Sequence, residues 1–145
     1  MRWMLFVHIA SVAFWLGGTA ALYVLYRRSL RAASPEGMAV AYDTARSVVK
    51  GILNPSALLV LLTGIGMLLQ VGMLGKTKPF WLAFMEQFGG MVALISAGLL
   101  TWQLRRLDRS ATDEERKSQW RALNLMIAGV GVAVTLTILV VALRL

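Results

Sequence analysis

The chain has 145 residues, of which 58% are apolar and only 15% charged, and it carries 15 Lys and Arg against 7 Asp and Glu. These values exclude an ordinary soluble domain, in which about a quarter of the residues are charged. A net charge of +8 would suit a nucleic-acid-binding protein, but here the basic residues lie at the ends of apolar segments, where they anchor membrane helices. We therefore expect membrane lipid as a partner and no nucleic acid.

Four long apolar segments account for most of the chain, at 3–26, 52–74, 80–104 and 122–143. Each has about 22 to 25 residues, and ~20 helical residues cross the ~30 Å hydrocarbon core of a bilayer. The segments predict one all-α membrane domain over residues 1–145. Because the connections after the second and third segments are short, consecutive helices should be antiparallel neighbours in an up-down-up-down, four-transmembrane-helix bundle.

Two connecting segments carry signals for helix starts. In the first, Ser34 can cap a helix that has Pro35 at its first position. The apolar pattern after Met38 predicts an amphipathic helix that runs along the inner membrane surface toward the second span. In the other, Thr112 and Glu115 have the spacing of a capping box. The fourth helix should therefore begin before its apolar part does.

The basic residues also predict the orientation. Segments 27–51 and 105–121 hold 11 of the 15 Lys and Arg residues, and the remaining 4 are Arg2, Lys76, Lys78 and Arg144. Cytoplasmic loops carry the excess of Lys and Arg in membrane proteins. We therefore expect segments 27–51 and 105–121 in the cytoplasm and both termini outside.

Polar residues inside the apolar segments are the candidates for function, since an ionisable group in a membrane span is costly. His8 is the only His in the chain and lies about 8 Å inside the outer end of the first span. Glu86 lies about 10 Å inside the outer end of the third span, and Gln70 is near the outer end of the second. The similar depths predict a contact between His8 and Glu86.

Three interpretations of His8 remain open from the residues alone. It can be a hydrogen-bonded, inert part of the bundle core. It can be a ligand of haem or copper, joined by a Met thioether, a water molecule or a second copy of the chain; Met85 is one such Met in the outer half. It can form a titrating pair with Glu86 for a proton or a quinone. The absence of Cys excludes disulfides and thiolate ligands.

Several short motifs resemble those of small four-span bacterial membrane proteins. The first span has His8 and then the string Trp15-Leu16-Gly17-Gly18, and the second has Asn54-Pro55 and later Thr63-Gly64. Trp81 near the start of the third span, and Trp120 with Asn124 near the start of the fourth, continue the resemblance. These strings resemble the CopD-like proteins and the HemJ protoporphyrinogen oxidase family. The resemblance implies a location in the bacterial plasma (inner) membrane.

The resemblance to HemJ implies that His8 is a haem ligand, whereas the functional Lys of that family is replaced by Met85 here. It therefore favours a CopD-like protein that binds haem b or copper and serves as an accessory or electron-transfer component, including a subunit of a respiratory complex. We expect a binding protein rather than an enzyme, either as a homodimer or in a larger membrane complex. The alternatives are a HemJ-like protoporphyrinogen oxidase and a structural membrane subunit with no cofactor. The candidate cofactor-binding residues are His8, Trp15, Glu86 and Gln70, and the candidate metal ligands are His8 and Met85.

Overall fold

Helices account for 89% of the protein in the computed structural model, which describes residues 2–31, 34–73 and 75–144. Within these ranges there is no β-strand. Six α-helices and two π-helical turns follow one another along the chain. They are α1 (Arg2–Ser29), α2 (Pro35–Val48), the π-turn Val49–Leu53, α3 (Asn54–Gln70), α4 (Phe80–Phe84), the π-turn Met85–Gly89, α5 (Gly90–Asp108) and α6 (Asp113–Leu143).

These segments join into four long helices, each long and apolar enough to cross a membrane. Their bounds are Arg2–Ser29, Pro35–Gln70, Phe80–Asp108 and Asp113–Leu143. Large apolar side chains are exposed on all four, and Trp3 is the most exposed of them at 82%. Soluble proteins rarely leave so much contiguous apolar surface in water. The expected membrane-type helical bundle is thus confirmed at the level of four apolar helices.

The long helices pack in a ring. The first contacts the second and the fourth, and the third contacts the same two. The first and third helices therefore occupy opposite corners. Gly18 of α1 lies against Leu53, because a side chain at this position would come within 3.0 Å of the Leu53 Cδ2 atom.

Two of the helix starts that the sequence predicts are confirmed. The Ser34 hydroxyl accepts a hydrogen bond from the Gly37 N–H at 3.2 Å, and Pro35 is the first residue of α2. The Thr112 hydroxyl accepts from the Glu115 N–H, also at 3.2 Å. The Glu115 carboxylate in turn accepts from the N–H of Ala111. As expected, α6 begins at Asp113, well before its apolar part.

The second long helix differs from the expectation in its first half. The amphipathic helix expected from Met38 is present within α2, but it continues through the π-turn into α3 and buries Ala41 and Ala45 in the core. Its place along the inner membrane surface stays a prediction. The π-turn lies just before Pro55, which has no N–H to donate to the preceding turn. Within the turn, the Asn54 N–H bonds to the Val49 carbonyl five residues back. This wider turn keeps the helix continuous past the proline.

The same helix ends before its apolar run does. Gly72 adopts a left-handed φ of +61°, and the N–H groups of Gly72 and Met73 bond back to the carbonyls of Leu69 and Leu68. This is a Schellman cap, which favours glycine because a side chain is strained in the left-handed region. The helix therefore stops at Gln70. Leu74, the last residue of the expected span, lies outside the described residues.

The best-packed part of the ring is its basic end. Trp120 of α6 is 2% exposed, and its ring meets Tyr26 and Tyr42 edge to face at 6.0 and 5.0 Å between centroids. Its indole N–H donates to the Ser29 hydroxyl at 3.1 Å. Arg46 also pairs with Asp108 at this end. These contacts hold the four helices together at one end and leave the other end to the polar residues of the candidate site.

Candidate functional site

His8 lies on the face of α1 that packs against α3. Its Nδ1 atom is 2.9 Å from the Thr63 hydroxyl oxygen, and this hydrogen bond joins residues 55 positions apart. The imidazole is half-buried between the two helices. The first and second long helices thus share a polar contact within their apolar segments.

The hydrogen bonds of Thr63 favour one of the two neutral forms of the His8 imidazole. The Thr63 hydroxyl donates to the Leu59 carbonyl at 2.5 Å, with the Val60 carbonyl at 3.2 Å. A hydroxyl has one proton to donate, so toward His8 it acts as the acceptor. We therefore assign the imidazole proton to Nδ1. In the neutral ring the other nitrogen, Nε2, then has a free lone pair.

Two glycines of α3 make room for α1 beside this contact. A Cβ atom at Gly64 would lie 3.5 Å from the His8 Cε1 atom, and one at Gly66 would lie 2.7 Å from the methyl group of Met4. Met4 is one helical turn before His8, so the two side chains share a face. An imidazole and a thioether are thus placed side by side against a glycine-containing stretch of α3.

Glu86 has a different partner from the one expected. Its carboxylate pairs with the ammonium group of Lys78. The Lys78 side chain is only 6% exposed and that of Glu86 is 28% exposed. Within the described residues no hydrogen bond or ion pair joins His8 to Glu86, so the expected contact is wrong in this structure. The reason is the ring packing, which places α1 and the third long helix at opposite corners.

The other candidate residues lie apart from the imidazole. Trp15 is two turns from His8 along α1, about 10 Å, and is buried; its indole N–H has no hydrogen-bond partner among the described residues. Gln70 is exposed at the end of α3. Met85 is half-buried in the π-turn that also holds Glu86. No hydrogen bond in the described ranges connects these residues to His8.

The donor set limits the type of metal centre. In the part of the chain that the structure describes, no group of three or more His, Cys, Asp or Glu side chains could hold a metal ion. A closed structural zinc site needs four such ligands. One imidazole and one thioether on the same helix face are instead donors of the kind that could hold haem iron or Cu(I).

Sequence reasoning missed two partners in this region. Thr63 is a polar residue of the second apolar segment, but it lies at the middle of 52–74, about 16 Å from the outer end. Its depth matches that of His8 only because the helix ends at Gln70, so the sequence alone carried no clear signal for this contact. Lys78 stands directly before the Pro79 helix start and eight residues before Glu86. Eight residues are about two helical turns, which the long Lys78 side chain can cover by extending along the helix toward Glu86. The sequence-based predictions use Lys78 only as an orientation signal.

Comparison with protein-family models, curated proteins and solved structures gave no match. The resemblance to the CopD-like and HemJ proteins therefore rests on the short motifs of the sequence alone.

Because the Lys78–Glu86 pair is largely buried, we expect its loss to lower the stability of the fold. Changing Glu86→Gln leaves a buried ammonium group without its carboxylate, and we expect a loss of about 1–3 kcal/mol in the free energy of unfolding. Asp43→Asn is the control, since Asp43 is 77% exposed in its pair with Arg46 and such surface pairs contribute about 0–1 kcal/mol. Unfolding in detergent, followed by circular dichroism, measures both. Equal losses in the two variants would contradict a stabilising role for the buried pair.

Proposed function

We propose that the protein is an integral membrane protein that binds haem b or copper through His8 and acts as an accessory or electron-transfer component. The observation that carries this proposal is the hydrogen bond between His8 Nδ1 and Thr63, which leaves the Nε2 lone pair free for a ligand. Histidine ligands of metals commonly have their other nitrogen fixed in this way. A bond from Nδ1–H to a neighbouring oxygen orients the ring and raises its basicity.

The surroundings of His8 fit a redox group in two forms. The imidazole of His8 would hold haem iron, together with a Met, a water molecule or a second copy of this chain. Copper(I) would take the imidazole together with the Met4 thioether, since soft sulfur ligands favour that ion. Either group supplies one-electron transfer. The apolar helices around His8 would exclude water and so help to set the reduction potential.

We also propose how the protein is oriented in the membrane. Both basic segments lie at one end of the ring, where Ser29 bonds to Trp120 and Arg46 pairs with Asp108. Excess positive charge marks the cytoplasmic end. We place this end in the cytoplasm of a bacterium, both termini and His8 toward the outer face of the plasma membrane, and the helices in up-down-up-down order.

A cofactor assay tests the proposed function. The protein is purified from membranes and examined for a Soret band and for copper by elemental analysis. Wild type and Gln87→Ala should carry one of the two groups and His8→Ala should lose it, because Gln87 is an exposed polar residue at a similar depth. Retention in His8→Ala would contradict the assignment. Absence of both groups from every form would favour a structural subunit, and rescue of a strain lacking protoporphyrinogen oxidase would favour the enzyme.

Cysteine labelling tests the orientation, because the natural chain has no Cys. A membrane-impermeant thiol reagent applied to cells with a permeable outer envelope should label Lys76→Cys. It should label Arg109→Cys only after the cells are broken. The reverse pattern would contradict the proposed orientation.

A further inference from the structure

A groove opens on the outside of the ring between α1 and α6. It has a volume of 370 Å³, which lies in the range of ligand-binding clefts, ~300–1,000 Å³. The two walls include Leu16, Ala20 and Tyr23 from α1 and Ala128, Val132 and Leu136 from α6. The small side chains of Ala20 and Ala128 leave room between the helices, so the α1–α6 groove offers an almost wholly apolar cleft within the apolar segments.

Helix spacing places one arginine of each helix just beyond one end of this groove. Leu16, Ala20, Tyr23 and Arg27 follow the 4-3-4 spacing of a single helix face. Arg121 precedes Ala128 by seven residues, or two turns, and so shares its face as well. Both arginines are exposed, and no salt bridge within residues 2–31, 34–73 and 75–144 involves either of them.

The two arginines lie at the same level of the bundle. The hydrogen bond between Trp120 and Ser29 aligns α1 with α6 at this end. Arg27 is two residues before Ser29 and Arg121 is one residue after Trp120, so in antiparallel helices their levels differ by about 2 Å. Tyr23, at 48% exposure, stands one turn deeper, where its phenol can bridge an apolar and a polar region.

We propose that the α1–α6 groove binds one anionic phospholipid, with an acyl chain between the helices and the phosphate at Arg27 and Arg121. An apolar cleft that ends in two level guanidinium groups has the polarity and charge of that ligand, because arginine binds phosphate through paired N–H groups. A second copy packed here about a two-fold axis along the membrane normal would bring like charges together. The inference requires the proposed membrane location but is independent of the cofactor at His8.

Lipid retention tests the proposal. The protein is placed in nanodiscs of equal phosphatidylglycerol and phosphatidylcholine, released, and examined by native mass spectrometry for bound lipid. Wild type should retain one phosphatidylglycerol per chain. The double variant Arg27→Gln/Arg121→Gln should bind it about tenfold to thirtyfold more weakly, at about 1 kcal/mol for each lost cation. The control Arg105→Gln/Arg109→Gln makes the same charge change at the C-terminal end of α5, away from the groove, and should retain the lipid.

Equal loss in both double variants would overturn the proposal in favour of a general charge effect, and so would equal retention of the two lipids.

If the first double variant fails to fold by circular dichroism, Ala20→Leu provides the test. It should fill the groove and reduce retention, whereas Ala13→Leu, an exposed position on α1 outside the groove, should not; similar retention in the two would overturn the proposal. Failure of the protein to enter nanodiscs would contradict the proposed membrane location. Loss of the preference for phosphatidylglycerol alone would contradict the lipid site and leave the membrane location intact.

Discussion

A polar side chain within an apolar helix needs a partner inside the bundle, because lipid offers none. That partner comes either from a neighbouring helix or from the residue's own helix and the segment beside it, so the order of the helices around the ring limits which polar residues meet. The first long helix contacts the second and fourth but lies opposite the third. His8 therefore bonds to Thr63, and Glu86, across the ring, is neutralised by Lys78 from the segment before its own helix. The free Nε2 of His8 follows from this arrangement.

The basic end of the ring and the end that holds His8 differ in how their helices pack. At the basic end, Trp120, Tyr26 and Tyr42 interlock and bury the indole ring. At the other end, α3 presents glycines instead of large side chains to α1, and Gly64 lies beside the His8 ring. Glycine contacts allow close helix approach, and the His8 and Met4 side chains fill the space that these glycines leave. The large buried side chains of the basic end and the glycine contacts near His8 thus give the two ends different packing.

Much of the fold could be predicted from the sequence, because it depends on local signals. The apolar segments, the Ser34 cap and the early start of α6 at Asp113 are all confirmed, whereas the continuous course of α2 into α3 was missed since it depends on a π-turn before Pro55. Less of the site could be predicted. Depth along each helix can be counted from the sequence, and it indicated similar levels for His8 and Glu86. Which helices are neighbours depends on packing across the whole ring, and depth alone could not distinguish an adjacent helix from an opposite one.

The arrangement around His8 assigns the proton to Nδ1, at the Thr63 hydroxyl, and leaves Nε2 unprotonated. Because His8 is the only His in the chain, solid-state NMR of the protein with ¹⁵N-labelled histidine in bilayers reports on this ring alone. We predict a protonated signal for Nδ1 and an unprotonated signal for Nε2 at neutral pH, with Thr63→Val changing the Nδ1 signal. A proton on Nε2 with a bare Nδ1 would contradict the account, and so would spectra that Thr63→Val leaves unchanged.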